Sequence, residues 1–285
     1  MQPEILLENL RERDAGDLQT LAMSVGWNFT LGQAGLFLAA KGTVLGYRHG
    51  GQLIASAGLY TYGRKLASLG IVIVHRAYQR KGFAKRIVTE CLREAERADS
   101  PVTLVATEQG FPLYQSLGFR TVGQVHRFES DSIPFGGMET REANASMLEA
   151  SDLLDVLRLD ETAFGANRHG VYEAQFRFMH AGAVLRDGLG TVSGFAICVR
   201  RDDLLVIGPV IAPSGTVAIN LVRSLCSEWK GRVRIDVPNE QDSFKEQLLK
   251  WGFREKMVSP VMIFGATHLP GARSQLFGLA DPVFG

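Results

Sequence analysis

The segment Gln79-Arg80-Lys81-Gly82-Phe83-Ala84-Lys85 sets three cationic side chains around a single glycine, between an apolar run at 69–74 and a helical pattern at 87–98. A turn of this kind, leading from a strand into a helix, suits an anion. The first helical N–H groups have no intrahelical partner, the aligned peptide dipoles add partial positive charge, and glycine lacks the side chain that would hold a ligand off the backbone. Phosphate is the anion such a turn would take.

Further along, a strand pattern at 102–106 leads into Thr107-Glu-Gln-Gly-Phe-Pro-Leu-Tyr114-Gln-Ser-Leu-Gly-Phe119, which reads as a short helix closed by Gly118. Gln-x-x-Gly-x-Ala at 79–84 and Leu-Tyr-x-x-Leu-Gly-Phe at 113–119 together resemble two signatures of the GNAT superfamily of N-acetyltransferases. The resemblance covers residues 68–120. It implies that acetyl-CoA is the acyl donor, that no metal takes part, and that acetyl passes directly to a primary amine of a small molecule or peptide. It further implies that the backbone of Val72, Ile73 and Val74 pairs with the pantetheine arm, with Gln79, Arg80, Lys81, Gly82, Phe83, Ala84 and Lys85 around the phosphates. Thr107 falls where relatives carry an asparagine that contacts the same arm. Tyr114 matches the tyrosine that protonates the departing thiolate, a task open to a phenol with a pKa near 10.

No general base stands out. Ile71 and Val102 occupy positions where some relatives have glutamate, and neither titrates. Glu108 and His75 are the nearest titratable groups, and a water chain or an amine that arrives neutral would serve as well. For the acceptor, the resemblance points to Trp27 and Asn28 of Gly26-Trp27-Asn28, and to Asp160 and Arg168 of Asp160-x-x-x-Phe-Gly-x-x-Arg168. The latter two would hold a zwitterion across a domain interface or form a structural ion pair.

The elements that must position these residues read as strand (5–13), helix (14–25), a loop into a second helical piece, then strand-like runs at 37–41, 44–49, 52–60 and 66–74, followed by strand-helix-strand-helix. A meander joined to a crossover unit predicts a mixed α/β sheet flanked by helices. A turn-rich interval at 130–138 separates two halves, and the boundary is expected at 140/141. The second half echoes the first in order: 151–159 repeats the helix at 14–21, 193–200 repeats 55–60, 204–211 repeats 66–74, and 248–253 repeats 114–119. The second copy reads Pro213-Ser-Gly where the cationic loop should be and Leu248 where Tyr114 should be. Leucine has no proton to give. The expectation is therefore two tandem GNAT-like domains, a catalytic 1–140 and a degenerate 141–285 that is substrate-shaping or structural.

Composition narrows the alternatives. A chain of 285 residues is comfortable for two domains, and 46% hydrophobic content supports ordinary cores. A formal net charge of +1 gives no bulk signal for nucleic acid or an anionic membrane. Three dispersed cysteines and six scattered histidines form no metal or disulfide pattern. The opening residues lack a leader pattern and no run of about 18 apolar residues follows, so a cytoplasmic protein is expected. A homodimer stays open, as does packing of the apolar stretch 276–284 within the chain or on a partner. The rival functional reading is a non-catalytic acyl-CoA sensor. A nucleotide-binding protein is disfavoured, since neither the P-loop nor the dinucleotide glycine pattern occurs at the turn.

Overall fold

The structure, a computed structural model, describes residues 4–131 and 145–285. The expected boundary at 140/141 lies outside the described residues. The first half runs β1 (Ile5–Asn9), α1 (Ala15–Met23), α2 (Leu31–Ala39), β2 (Thr43–His49), β3 (Gln52–Thr61), β4 (Ala67–Val74), α3 (Phe83–Arg97), β5 (Val102–Val105), α4 (Phe111–Ser116) and β6 (Arg120–Ser130). The second runs β7 (Ala145–Met147), α5 (Leu153–Phe164), α6 (His169–Phe178), β8 (Ala181–Arg186), β9 (Val192–Arg201), β10 (Leu204–Ile211), α7 (Gly215–Cys226), β11 (Arg232–Pro238), α8 (Asp242–Lys250), β12 (Arg254–Phe264) and β13 (Leu276–Gly278). Element for element, the order from β7 to β12 repeats that from β1 to β6.

Burial follows composition. Residues 53–60 of β3 are buried on both faces, as a continuous apolar run in a covered central strand must be. The edge strand β1 leaves Ile5, Leu6 and Leu7 exposed. Helix α3 buries Phe83, Ile87, Val88, Cys91, Leu92 and Ala95, a stripe at helical spacing that packs on the sheet beneath the cationic loop. The strand expected at 37–41 is not one. Thr30 caps α2 by accepting the Gln33 N–H at 3.1 Å, and Phe37 is fully buried near the helix's end. The apolar run there belongs to a buried helix, which periodicity cannot separate from a short strand.

The thirteen described strands form one sheet in the order β1-β2-β3-β4-β5-β12-β6-β11-β10-β9-β8-β7, with β13 pairing to β10. The halves have exchanged their last strands. β12 pairs with β5 from Val261↔Val105 to Phe264↔Val102, and on its other edge with β6. β6 in turn pairs with β11 from Val233↔Ser130 to Pro238↔Val125. Both partners of β6 therefore come from the second half. Parting the halves would strip its backbone donors and acceptors on both sides and open the edge of β5.

One unfolding unit is the expected outcome. Chemical denaturation of the full chain, followed by tryptophan fluorescence and far-UV circular dichroism, should give coincident single transitions. Two resolved transitions would show that each half stands without the other's strand.

Candidate active site

The site begins where two strands part. β4 pairs with β5 only at Ala67↔Val102 and Ser68↔Thr103. Beyond Ser68, β4 stays with β3, while β5 follows β12, as the Ala106 N–H to Pro260 carbonyl bond of 2.9 Å shows. A wedge opens between them. On its β4 side the register with β3 slips between Ser56 and Gly58, and Ile71 takes up the extra residue at φ +46°. That region is costly for a β-branched residue. The bulge is held by the Ser56 hydroxyl, which donates to the Ile71 carbonyl at 2.8 Å. Bulges of this kind re-aim the strand beside a site.

The cationic loop lies beyond the end of β4. A 3₁₀ turn at Arg76–Tyr78 precedes it, His75 accepting the Ala77 N–H at 3.2 Å, and the Gln79 amide donates back to the Val74 carbonyl at 3.1 Å. Arg80 and Gly82 both adopt positive φ, +60° and +82°, so the chain coils tightly into α3. Gly82 is the N-cap residue and no side chain caps the helix. The first helical bond is Arg86 N–H to the Gly82 carbonyl, leaving the amides of Phe83, Ala84 and Lys85 without a helical acceptor. A Cβ built on Gly82 would meet nothing within 4 Å, so the approach to these amides is open. Phe83 is buried and anchors the turn, with the Arg86 guanidinium 4.4 Å from its ring centre.

Across the wedge, Tyr114 sits on α4, 8% exposed, its ring edge-on to Phe119 at 5.7 Å between centres. Its hydroxyl has no hydrogen-bond partner among the described residues. Burial, with a smaller contribution from Cys91, pushes the phenol above the ordinary tyrosine range, so it stays protonated through neutral pH. Thr107 accepts the Gly110 N–H at 3.1 Å with its side-chain oxygen and so shapes the turn into α4.

These groups face a cavity of about 540 Å³. Val72, Thr107 and Tyr114 line it, as do Trp27 and Asn28 from the loop between α1 and α2. Ile73, Val74 and residues 79–85 are outside the lining. His75 and Glu108 are also outside it, and among the described lining residues none is histidine or glutamate. The far wall belongs to the second half and to the strand exchange: Arg127 of β6, Arg201 of β9, Arg234 and Asp236 of β11, and Asp281 after β13. Sequence reasoning missed this wall. Its residues lie on separate strands, and no motif links them.

The second half shows what closes such a wedge. β10 pairs with β11 from Leu204↔Arg232 to Ile207↔Ile235 and then diverges, as β4 does from β5. There β13 fills the gap, pairing Val210↔Gly278 and Ile211↔Leu276, while the Leu279 N–H bonds the Asp236 carbonyl at 2.9 Å. A Cβ on Gly208 would come within 1.8 Å of the Leu279 carbonyl oxygen. Helix α7 is capped by its own Ser214 side chain, which accepts the Val217 N–H at 3.4 Å. Leu248 matches Tyr114 in geometry as well as in sequence: Phe119 N–H bonds the Tyr114 carbonyl and Phe253 N–H the Leu248 carbonyl, each at 3.0 Å, with Gly118 and Gly252 both at positive φ.

Asp160 and Arg168 do not line the cavity. Both are fully buried and joined by two bonds, 2.9 and 2.6 Å, and Arg168 also donates to the main-chain oxygens of Phe284 and Gly285 at 3.3 and 2.6 Å. Burial alone would lower the Arg168 pKa, but the Asp160 carboxylate outweighs it and holds the guanidinium above its usual value. The expectation that the pair grips a substrate gives way to a structural one: it fastens the segment 279–285.

An open strand wedge leading from an uncapped helix start, repeated in a second copy whose wedge is filled, defines an acyltransferase architecture in tandem. Residues 35–142 and 156–278 each match a family described as an acetyltransferase (GNAT) domain. The chain is 30% identical over 281 residues, 98% of each protein, to the uncharacterized N-acetyltransferase YitH of Bacillus subtilis (strain 168). Its fold is similar to a putative acetyltransferase from Pyrococcus horikoshii, with TM-score 0.82 and 20% identity, covering 99% of this chain and 96% of that one. It is also similar to a tandem GNAT protein from the clavulanic acid biosynthesis pathway, with TM-score 0.68, 15% identity, and coverage of 93% and 99%. The chain belongs to the GNAT acetyltransferase family and is a tandem-domain acyltransferase. Members of that family use acetyl-CoA as a substrate and act on amine acceptors in general. No helix among the described residues is long and apolar enough to cross a membrane.

The Asp160 assignment has a direct test. Asp160→Asn should lower unfolding free energy by about 3–5 kcal/mol, because it leaves the Arg168 charge buried without its counter-ion. The readout is the denaturant midpoint at unchanged m-value. Full stability combined with a selective loss of acceptor binding would return the pair to a substrate role.

Proposed function

We propose that this protein transfers the acetyl group of acetyl-CoA directly to a primary amine of a small molecule or peptide, using the first half for the donor and the interface between the halves for the acceptor. The observation that carries this reading is the continuity of one cavity from the open β4/β5 wedge, past Tyr114, to a polar wall supplied by the second half. A thioester laid along β4 and an amine entering from that wall would meet beside the Tyr114 phenol.

Fit to the donor is supported by the loop. The free amides of Phe83, Ala84 and Lys85 converge at an unobstructed Gly82, with Arg80, Lys81 and Lys85 near enough in sequence to reach outer phosphates. β4 beyond Ser68 has no strand on its β5 side, which leaves backbone groups along 72–74, apart from the Val74 carbonyl that the Gln79 amide occupies, for the pantetheine arm and for the thioester oxygen. The second half, with its wedge filled by β13 and its helix capped by Ser214, holds no second donor.

In the reaction the amine nitrogen attacks the thioester carbonyl carbon, and backbone N–H groups of β4 stabilise the oxygen as it gains charge. Collapse of the adduct breaks the C–S bond, and the thiolate takes the Tyr114 proton, which solvent then restores. Burial holds the phenol protonated at neutral pH, so the proton is present when the C–S bond breaks. The nitrogen gives its own proton to water. The described lining holds no histidine or glutamate and its inner aspartates are engaged by arginines, so in this reading the acceptor arrives as the neutral amine.

Two experiments test this reading. Calorimetry should find acetyl-CoA bound once per chain, and Gly82→Glu should abolish it, because the new side chain crowds the amides, sets a negative charge against the pyrophosphate and strains a φ of +82°. Two equivalent sites, or unchanged affinity in the variant, would remove the donor assignment. Tyr114→Phe should keep acetyl-CoA affinity yet slow single-turnover acetyl transfer by about 10²- to 10⁴-fold, the usual worth of a general acid. Equal transfer rates with an intact fold would reduce Tyr114 to packing.

A further inference from the structure

The described lining of the cavity holds four arginines and four aspartates, but its inner wall has more guanidiniums than hydrogen-bonded carboxylates. Three arginines from three strands meet there with two aspartates. Arg234 binds Asp236 with two nitrogens, at 3.0 and 2.7 Å, and Arg127 reaches the same carboxylate at only 3.4 Å. Arg201 donates to Asp281 at 2.6 Å, and that carboxylate also takes the Val283 N–H at 2.9 Å. The other acids of the lining are at the rim. Asp203 is held by Arg232 in a two-pronged pair at 3.0 and 2.9 Å, and Asp202 is exposed in the turn between β9 and β10.

The inner hydrogen-bonded group is thus three guanidiniums to two carboxylates, with Glu129, opposite Arg234 on β6, adding a weaker attraction to Arg234, and it is largely out of water. The side chains of Arg201 and Arg234 are 10% and 11% exposed, and those of Asp236 and Asp281 5% or less. Arg201 Nε is buried with no hydrogen-bond partner among the described residues. Burial, and to a lesser degree the neighbouring Arg234, lowers the Arg201 pKa despite Asp281, which marks its charge as under-compensated. Arg127, 29% exposed and loosely tied, has the freest donors of the three. Uncompensated buried cations are costly, and guanidiniums bind planar oxyanions with paired, charge-assisted bonds.

We infer that the acceptor is an amine carrying an oxyanion, a carboxylate or a phosphate, which Arg127, Arg201 and Arg234 hold while the amine faces Tyr114 and the β4/β5 wedge. The inference rests on the proposed acetyl transfer and names its substrate class. Trp27 and Phe29, 5.7 Å apart between ring centres, give the rest of the acceptor an apolar wall.

The test is equilibrium binding to the full chain saturated with CoA, using matched pairs: glycine and β-alanine against their amides, and O-phosphoethanolamine against ethanolamine. The anionic member should bind about 10- to 100-fold more tightly, as charged hydrogen bonds predict. Arg127→Gln should erase that preference and Arg127→Lys restore part of it, with acetyl-CoA affinity and melting temperature as in wild type. The glycine and phosphoethanolamine pairs separate a carboxylate site from a phosphate site, and either result supports the inference. Equal or tighter binding of the neutral members, no saturable binding of any anionic member, or a preference that survives Arg127→Gln would overturn it. Loss of acetyl-CoA binding in the same titrations would instead strike the donor assignment.

Discussion

The insertion of β12 between β5 and β6 is the constraint on which the rest of the molecule depends. β5 has only four residues, and β12 claims all of them. β5 follows β12 and leaves β4 after two pairs, where β4 bulges at Ile71, and a wedge opens between them. The same exchange seats β6 between β12 and β11, which carries Arg127 into the second half's wall beside Asp236. The cavity's far wall and the place of Arg127 in it thus follow from the pairing of each half's last strand with the other half.

The two halves are built alike and end in opposite states. Each has a strand that bulges and diverges from its parallel neighbour, and each has a helix that begins at the mouth of the gap. In the first half the helix starts at a bare glycine with free amides. In the second, Ser214 satisfies the helix start and β13 supplies the missing strand, so the backbone groups that would receive an extended ligand already have partners. Sealing one wedge has a use for the other. The segment that continues from β13 runs to the first half, where the Ser68 hydroxyl bonds the Val283 carbonyl at 2.8 Å and the Tyr62 hydroxyl the Phe284 carbonyl at 3.0 Å. Gly70 admits it, since a Cβ there would fall 2.7 Å from Val283. Asp281, Pro282 and Val283 then line the cavity.

Charge is distributed to match. The Asp160–Arg168 pair is fully dry, with every strong partner inside the protein, and it serves to lock this segment against α5 and α6. The arginines of the cavity wall are only partly balanced and stand where a ligand can reach them. Both groups are buried guanidinium–carboxylate clusters, and what separates them is whether the cavity reaches the guanidiniums.

The sequence by itself determined the tandem organisation, the mixed sheet, the cationic loop and Tyr114, because these rest on local order: a helix start follows its strand, and Gly118-Phe119 closes α4 a fixed few residues after the tyrosine. It also fixed the loss of those features at Pro213-Ser-Gly and Leu248. It misread 37–41, where a buried helix end and a short strand share one apolar pattern, and it left Asp160 and Arg168 open between an acceptor clamp and a structural ion pair, which their spacing suits equally well. The strand exchange, the filling of the second wedge by β13 and the meeting of Arg127, Arg201 and Arg234 were decided only by tertiary structure. Each depends on which strands become neighbours, and hydrogen-bonding edges of equal character carry no address in the local sequence.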